Sequence, residues 1–150
     1  MLVKFAVTNY RGFSERIEWD LSRPSNYSFN EYAIKDGVIK NGIVYGSNGS
    51  GKSNLSFALF DIVNHLSQKM KMADYYVNFA YAGHQDSPVT FEYTFKFNNQ
   101  LLEYIYSKRP NGTLITEKVS VDHQQVFERN ESALSIDEEQ FPMESSMKVN

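Results

Sequence analysis

The stretch that decides the fold prediction is Gly46-Ser47-Asn48-Gly49-Ser50-Gly51-Lys52-Ser53. It fits the phosphate-binding pattern G-x-x-x-x-G-K-S/T, the P-loop or Walker A motif, at all four fixed positions. An apolar run at 43–45 comes before it, and a run with helical periodicity at 54–70 follows it. Strand, glycine-rich loop and helix is the order in which this motif occurs. The pattern therefore predicts a phosphate-binding loop between a buried strand and a helix.

The residue types in the loop indicate what it would bind. Glycines at 46, 49 and 51 allow backbone conformations that other residues avoid, so successive N–H groups can form an anion-binding nest. The start of the following helix adds further unpaired N–H groups. Lys52, the candidate catalytic residue, would reach the β- and γ-phosphates of ATP, and the Ser53 hydroxyl would ligate Mg²⁺. The alternative is a Gly/Ser/Asn turn that precedes a lysine by chance.

Composition limits the class of protein. A chain of 150 residues fits one domain or part of a larger one, and its hydrophobic content of 41% is too high for disorder. A net charge of −3 does not favour an autonomous nucleic-acid-binding domain. The chain has no cysteine, no apolar run long enough to cross a membrane and no signal-peptide pattern, so we expect a cytoplasmic protein.

Alternating apolar residues predict strands at 2–8 and 15–21, which we expect to pair antiparallel. Residues 31–40 are expected to hold a short strand around a turn at Asp36-Gly37. An antiparallel β-meander is predicted over 88–129. The helix that follows the loop is expected to pack one apolar face on the sheet that holds the loop's strand. The residues of that face are Leu55, Leu59, Ile62, Val63, Leu66 and Met70. We assign 1–130 to an ATP-binding lobe and 131–150 to a poorly patterned tail.

Two parts of the chain resemble a known group of proteins. The loop with its neighbour, 46–54, is similar to the form found in ABC-type ATPases of the SMC, Rad50, RecF and OLD group. The start of the chain, 1–13, resembles their opening strand and the N-F/Y-R/K-x-F/Y turn after it. The closest resemblance is to the AAA_15/AAA_21-type ATPases, which are bacterial relatives of RecF and OLD. It is specific at 2–13 and 43–59, and only topological at 88–121.

The resemblance implies an α/β fold, namely the P-loop NTPase fold in its ABC-type head form. This chain would supply lobe I of such a head together with an antiparallel β-meander. The head would be incomplete without a further part. It implies that Arg11 lies near the nucleotide phosphates and that Asn48 approaches the γ-phosphate. The alternative for Arg11 is a solvated turn arginine. The expected nucleotide contacts are Gly46, Ser47, Asn48, Gly49, Ser50, Gly51, Lys52, Ser53, Asn54 and Arg11.

The chain departs from the group in lacking a Walker B strand, a signature motif and a switch histidine. Ile136-Asp137-Glu138 is the one candidate for Walker B, but Ser135 interrupts the apolar run that a buried strand needs. Without Walker B, Mg²⁺ has no second protein anchor and water has no base. Hydrolysis would therefore need a C-terminal half.

The remaining candidates are weaker. The three histidines, at 65, 84 and 123, have no metal-ligand spacing, and His65 is expected to be a surface residue. Gln85 is interpreted as a loop residue rather than a Mg²⁺-sensing glutamine. An aromatic cluster at 73–83 is expected to be core, with a contact surface as the alternative. Its members are Tyr75, Tyr76, Phe79 and Tyr81.

These observations leave two functional hypotheses from different classes. The first is an ATPase lobe that binds ATP and Mg²⁺. For this hypothesis the resemblance implies a homodimer of heads and a role in DNA repair or antiviral defence. It also implies a nuclease or toxin partner, and contacts with DNA or RNA through further segments. The second is a non-hydrolysing nucleotide-binding or assembly module. A small P-loop kinase is disfavoured because the residues after 72 predict a β-meander instead of a lid.

Overall fold

The computed structural model describes residues 1–25, 31–67 and 73–137. Within them, seven of the strands form one antiparallel sheet in the order β2-β1-β5-β6-β7-β8-β9, and β3 and β4 form a separate hairpin. The strands are β1 Leu2–Thr8, β2 Ile17–Asp20, β3 Ile34–Lys35, β4 Val38–Ile39, β5 Val89–Phe97, β6 Gln100–Lys108, β7 Leu114–Val121, β8 Gln124–Asn130 and β9 Leu134–Ile136. The α-helix is α1, Lys52–Ser67, and 3₁₀ turns lie at Glu31–Ala33 and Ala73–Tyr76.

The strand predictions are largely confirmed. The hairpin at 31–40 turns at Asp36 and Gly37, both with positive φ. The β-meander over 88–129 is present as four consecutive antiparallel strands, β5 to β8. Its first turn uses Asn98 at φ 54°, a left-handed conformation that asparagine tolerates. The sequence pattern did not predict β9, which adds residues of the tail to the sheet.

The predicted α/β fold is wrong for the described residues. Every strand pair among them is antiparallel, and the fold is β-rich with a single α-helix. The run at 43–45 forms no strand, because no neighbouring strand pairs with its backbone. Ile43 and Tyr45 are each 90% exposed, so this run is not the buried strand that the motif predicted. A single extended segment without a paired neighbour is not stable as a strand.

One face of the sheet carries the core. Aromatic residues from β1, β5 and β6 alternate toward α1, among them Phe5, Tyr93 and Tyr106. The helix lies against them at Ala58, whose small side chain lets its carbonyl accept a hydrogen bond from the Tyr93 hydroxyl at 2.9 Å. Of the aromatic cluster at 73–83, Phe79 is 1% exposed and belongs to this core, and Tyr75 and Tyr76 pack against it while partly buried. The core prediction is therefore confirmed for these three residues, whereas Tyr81 is not part of the core.

Helix α1 has apolar residues on two faces instead of the predicted one. Leu55, Leu59 and Ile62 pack on the core as expected. Val63 and Leu66 were assigned to the same face but are 54% and 64% exposed. They belong to an outward stripe with Phe57 and Phe60. Met70 lies outside the described residues. No helix in the described parts of the chain is long and apolar enough to cross a membrane.

Candidate functional site

The glycine-rich loop lies at the start of α1 and encloses a cavity of about 270 Å³. The helix begins at Lys52, directly after Gly51. Gly49 and Gly51 have φ of 79° and 93°, the left-handed region in which glycine is favoured. These two positions therefore need glycine for their backbone conformation. The cavity is lined by Asn48, Gly49, Ser50, Gly51, Lys52, Ser53 and Asn54.

Most backbone donors around this cavity are unused. The Ser50 N–H donates to the Ser47 carbonyl at 3.3 Å. Within the described residues, the N–H groups of the other cavity residues make no hydrogen bond to the protein, as expected for the first turn of a helix. These groups are Asn48, Gly49, Gly51, Lys52, Ser53 and Asn54. A concave set of free N–H groups at a helix N-terminus has the donors and the dipole that bind a phosphate group.

The side chain of Lys52 reaches back across the loop. Its ammonium donates to the carbonyl oxygens of Gly46 and Ser47, each at 2.7 Å. No carboxylate among the described residues pairs with it. Carbonyl oxygens are neutral acceptors, so a phosphate oxygen is a stronger partner for this ammonium.

Ser53 and Asn54 complete the first turn of the helix. Ser53 is exposed, and its hydroxyl makes no hydrogen bond within the described residues. It therefore fits Mg²⁺ as a single protein ligand, because Mg²⁺ in nucleotide sites takes its other ligands from water and phosphate oxygens. No group of three or more acidic or histidine side chains that could hold a metal occurs in the part of the chain that the structure describes.

The turn after β1 lies against the loop. Its ends bond to each other through Tyr10 and Phe13, whose backbone N–H groups and carbonyls pair at 2.9 and 2.8 Å. The Phe13 ring packs so close to Gly51 that a Cβ there would lie 3.0 Å from it. Gly12 is next to Asn54, whose amide nitrogen would lie 3.1 Å from an added Cβ. The two sequence regions that carried the family resemblance are therefore in contact.

The structure places the Arg11 side chain beside the helix and not in the cavity lining. Its Nε donates to the Tyr10 hydroxyl at 3.0 Å, and its Nη2 donates to the Tyr75 carbonyl at 3.2 Å. The guanidinium also lies 5.4 Å from the ring centre of Phe57. The phosphate role of Arg11 stays a prediction.

A buried carboxylate that sequence reasoning missed fixes the middle of the helix. Asp61 is completely buried, and three donors reach its two oxygens. Tyr75 donates to Oδ1 at 2.8 Å, and Tyr106 and Lys108 each donate to Oδ2 at 2.7 Å. Burial lowers the pKa of Lys108, while the negative charge of Asp61 opposes that shift. This buried cluster joins α1 to β6 and to the 3₁₀ turn at Ala73–Tyr76.

The last turns of the helix are held by a second polar cluster. His65 Nε2 lies 3.3 Å from Glu117 Oε1 on β7, and the imidazole stacks on the Tyr106 ring at 4.2 Å. Tyr104 and Arg129 also donate to Glu117. The prediction that His65 is a surface residue is therefore wrong, since its side chain is 11% exposed. The hydrogen bond with His65, then that from Tyr104 and the positive charge of Arg129, outweigh burial and lower the pKa of Glu117 to about 2.

The remaining candidates lie away from the loop cavity. Ile136 ends the edge strand β9, and the Asp137 N–H donates to the Val126 carbonyl. Glu138 lies outside the described residues. His123 is exposed and pairs with Glu103, and Gln85 lines a separate surface cleft. Within the described residues, the structure brings none of them to the Lys52 side chain.

Comparison with known proteins adds no family to this geometry. A scan of the chain against models of known protein families gives no match, and a search of curated proteins gives none either. The resemblance to the SMC, Rad50, RecF and OLD group therefore rests on the motifs alone.

Proposed function

We propose that this chain binds ATP with Mg²⁺ through residues 46–54, as the nucleotide-binding part of an ATPase similar to the SMC, Rad50, RecF and OLD group. The observation that carries the proposal is the cavity at the start of α1, around which six backbone N–H groups have no protein acceptor within the described residues. Lys52 is at the same place, and within the described residues its ammonium bonds two loop carbonyls and no carboxylate. Such an arrangement favours a polyanionic ligand.

The loop residues have distinct parts in this proposal. The free N–H groups would surround the β-phosphate, and the Lys52 ammonium would exchange the carbonyls of Gly46 and Ser47 for phosphate oxygens. The Ser53 hydroxyl would hold Mg²⁺ together with phosphate oxygens and water. When bound, the metal supplies positive charge that offsets the phosphates. Asp61 is not available as a second ligand, because its oxygens already accept hydrogen bonds from three side chains.

Hydrolysis of the bound nucleotide needs a group that activates water. The cavity is lined by residues 48–54, which include no carboxylate that could activate water. This favours the view that the chain binds nucleotide without hydrolysing it unless a further segment supplies the base. A non-hydrolysing binding or assembly module is the second candidate, favoured by the same observation. A cytoplasmic location, a homodimer of heads, nucleic-acid or nuclease partners and a role in DNA repair or antiviral defence rest only on the resemblance.

The test is a calorimetric titration of ATP with Mg²⁺ and again with a chelator, with phosphate release assayed on the same sample. We expect binding that Mg²⁺ strengthens, without turnover above background. Lys52→Ala should weaken ATP binding by about 100-fold or more, because the phosphate charge loses two charge-assisted hydrogen bonds. Lys35→Ala, which removes an exposed lysine of the β3–β4 hairpin, is the matched control and should leave affinity unchanged.

The outcomes separate the candidate functions. Equal ATP affinity in Lys52→Ala and in the unchanged chain would refute the loop as the binding site. Turnover that disappears in Lys52→Ala would show that the chain carries its own catalytic machinery, against the proposal. No binding by a chain with an intact circular-dichroism spectrum would favour an assembly module without nucleotide.

A further inference from the structure

Tyr75 contacts two polar residues, Asp61 in the middle of α1 and Arg11 in the turn after β1. Its hydroxyl donates to Asp61 Oδ1 at 2.8 Å, inside the core. Its backbone carbonyl accepts a hydrogen bond from Arg11 Nη2 at 3.2 Å. Burial, and then the negative charge of Asp61, raise the pKa of Tyr75, so its hydroxyl keeps its proton and acts as a donor. One residue of the 3₁₀ turn therefore connects the middle of α1 to the turn after β1.

The turn after β1 reaches the loop directly. Phe13 lies over Gly51, where an added Cβ would be 3.0 Å from its ring, and Gly12 lies beside Asn54. The Phe13 ring leaves no room for a Cβ at Gly51, so a movement of this turn changes the surroundings of the residue that directly precedes α1. The position of the turn is thus linked to the position of the first helical N–H groups.

The side chain of Arg11 connects Tyr75 to this turn through a hydrogen bond to the Tyr75 carbonyl. Its guanidinium is held between the Tyr10 hydroxyl, the Tyr75 carbonyl and the face of Phe57. The turn residue itself has a positive φ of 48°, which is unfavourable for arginine and needs support from its surroundings. The hydrogen bond from the Arg11 N–H to the Phe79 carbonyl, at 3.0 Å, provides part of that support.

We propose that Tyr75 is a positioning residue of the nucleotide site: by bonding Asp61 through its hydroxyl and Arg11 through its carbonyl, it sets the turn at 10–13 against the phosphate-binding loop. This inference rests on the proposed function. Without the hydroxyl, the 3₁₀ turn loses its bond to the helix. The Arg11 turn then moves more freely over Gly51 and Asn54, so the loop is less well ordered for phosphate.

The experiment compares Tyr75→Phe with Tyr76→Phe. Both changes remove one hydroxyl from neighbouring tyrosines of the same turn, but the Tyr76 hydroxyl makes no hydrogen bond within the described residues. We expect Tyr75→Phe to weaken ATP affinity by about five- to tenfold, the scale of one ordinary hydrogen bond, and Tyr76→Phe to leave it unchanged. Circular dichroism at the assay temperature checks that both variants are folded.

To distinguish positioning of the loop from a general loss of stability, the effect of Tyr75→Phe is measured again in a chain that carries Arg11→Ala. If Tyr75 acts through the arginine turn, Tyr75→Phe should cause little further loss of affinity when Arg11 is already alanine. An equal loss in both backgrounds would overturn the inference, because a general loss of stability does not depend on Arg11.

A second readout does not need nucleotide. In the ligand-free chain, Tyr75→Phe should shift the amide NMR resonances of Gly51 and Asn54, and Tyr76→Phe should not. If ATP does not bind but these shifts occur, the proposed function fails while the coupling of Tyr75 to the loop holds. If the two variants leave both resonances in place, the inference about Tyr75 is wrong whether or not ATP binds.

Discussion

The two ends of helix α1 are built in opposite ways. At its start, backbone N–H groups from Lys52 to Asn54 have no acceptor within the described residues, and Ser53 is exposed. From its middle onward, Asp61 and His65 attach it to β6 and β7 through buried or nearly buried polar contacts. The helix is thus fastened away from the loop. The polar contacts that attach the helix to the sheet therefore lie at Asp61 and His65, while the backbone donors of its first turn have no protein acceptor within the described residues.

The largest effect on the attachment of α1 to the sheet is expected from Lys108→Met. Among the described residues, it leaves two tyrosine hydroxyls as donors to the buried charge of Asp61. We expect the free energy of unfolding to fall by about 3 kcal/mol, because a buried charge without its partner is costly. Chemical denaturation measures this loss. Adding Asp61→Asn should recover part of it, and a single-variant loss below about 1 kcal/mol would show that the pair does not fasten the helix.

The second prediction concerns pH and the cluster around Glu117. Its folded pKa of about 2 lies below its usual value of 4.5, so its contribution to stability is present above the higher value and is lost as pH falls toward the lower one. Glu117→Gln should therefore cost about 2 kcal/mol near pH 7, and this difference should vanish near pH 2. Denaturation series of both chains across this range measure it. A difference in the free energy of unfolding that is the same at all pH values would contradict the lowered pKa of Glu117.

The smallest effect is expected from Gly49→Ala inside the loop, which is compared with Gly51→Ala. Gly49→Ala places alanine at positive φ with no atom near its Cβ, which should cost about 1 kcal/mol. Gly51→Ala adds a Cβ at 3.0 Å from the Phe13 ring, so it should cost about 1 kcal/mol more. Thermal unfolding compares the two. Equal losses would mean that the Phe13 ring moves aside freely and that the turn does not restrain the loop.

Local patterns made the strands and the loop predictable. Every second residue from Val89 to Phe97 is apolar, which predicts a strand with one buried face, and this segment forms β5. The positive φ of Gly49 and Gly51 agrees with the motif, which needs glycine for backbone reasons. The helix start at Lys52 is close to the predicted 54 because the loop ends there.

The fold class was not predictable from the same motif. A P-loop pattern implies a strand before the loop, but a strand forms only if another strand pairs with it, and none does so at 43–45 within the described residues. The sequence pattern predicted one apolar face for α1, whereas the structure has two. Ile62 and Val63 are adjacent in sequence and both apolar, but Ile62 packs on the core and Val63 is exposed. Periodicity alone does not say which of two apolar faces meets the sheet.

The Asp61 cluster shows a different limit. The strand alternation does place Lys108 on the same face as Tyr104 and Tyr106, which is the only local indication that this lysine points inward. Nothing in the order of residues connects it to a carboxylate 47 positions earlier. The pair exists because α1 crosses β5, β6 and β7 in turn, meeting them at Ala58, Asp61 and His65.

The sequence by itself determined the antiparallel meander, the hairpins and the glycine-rich loop before a helix, because each depends on residues within one turn or one strand of each other. The tertiary structure alone decided the sheet order, the absence of a strand at 43–45 in the described chain, and the contacts of Tyr75 with Asp61 and Arg11. The physical reason is distance along the chain. Hydrogen bonds between residues far apart in sequence form only where the packed core brings their elements together.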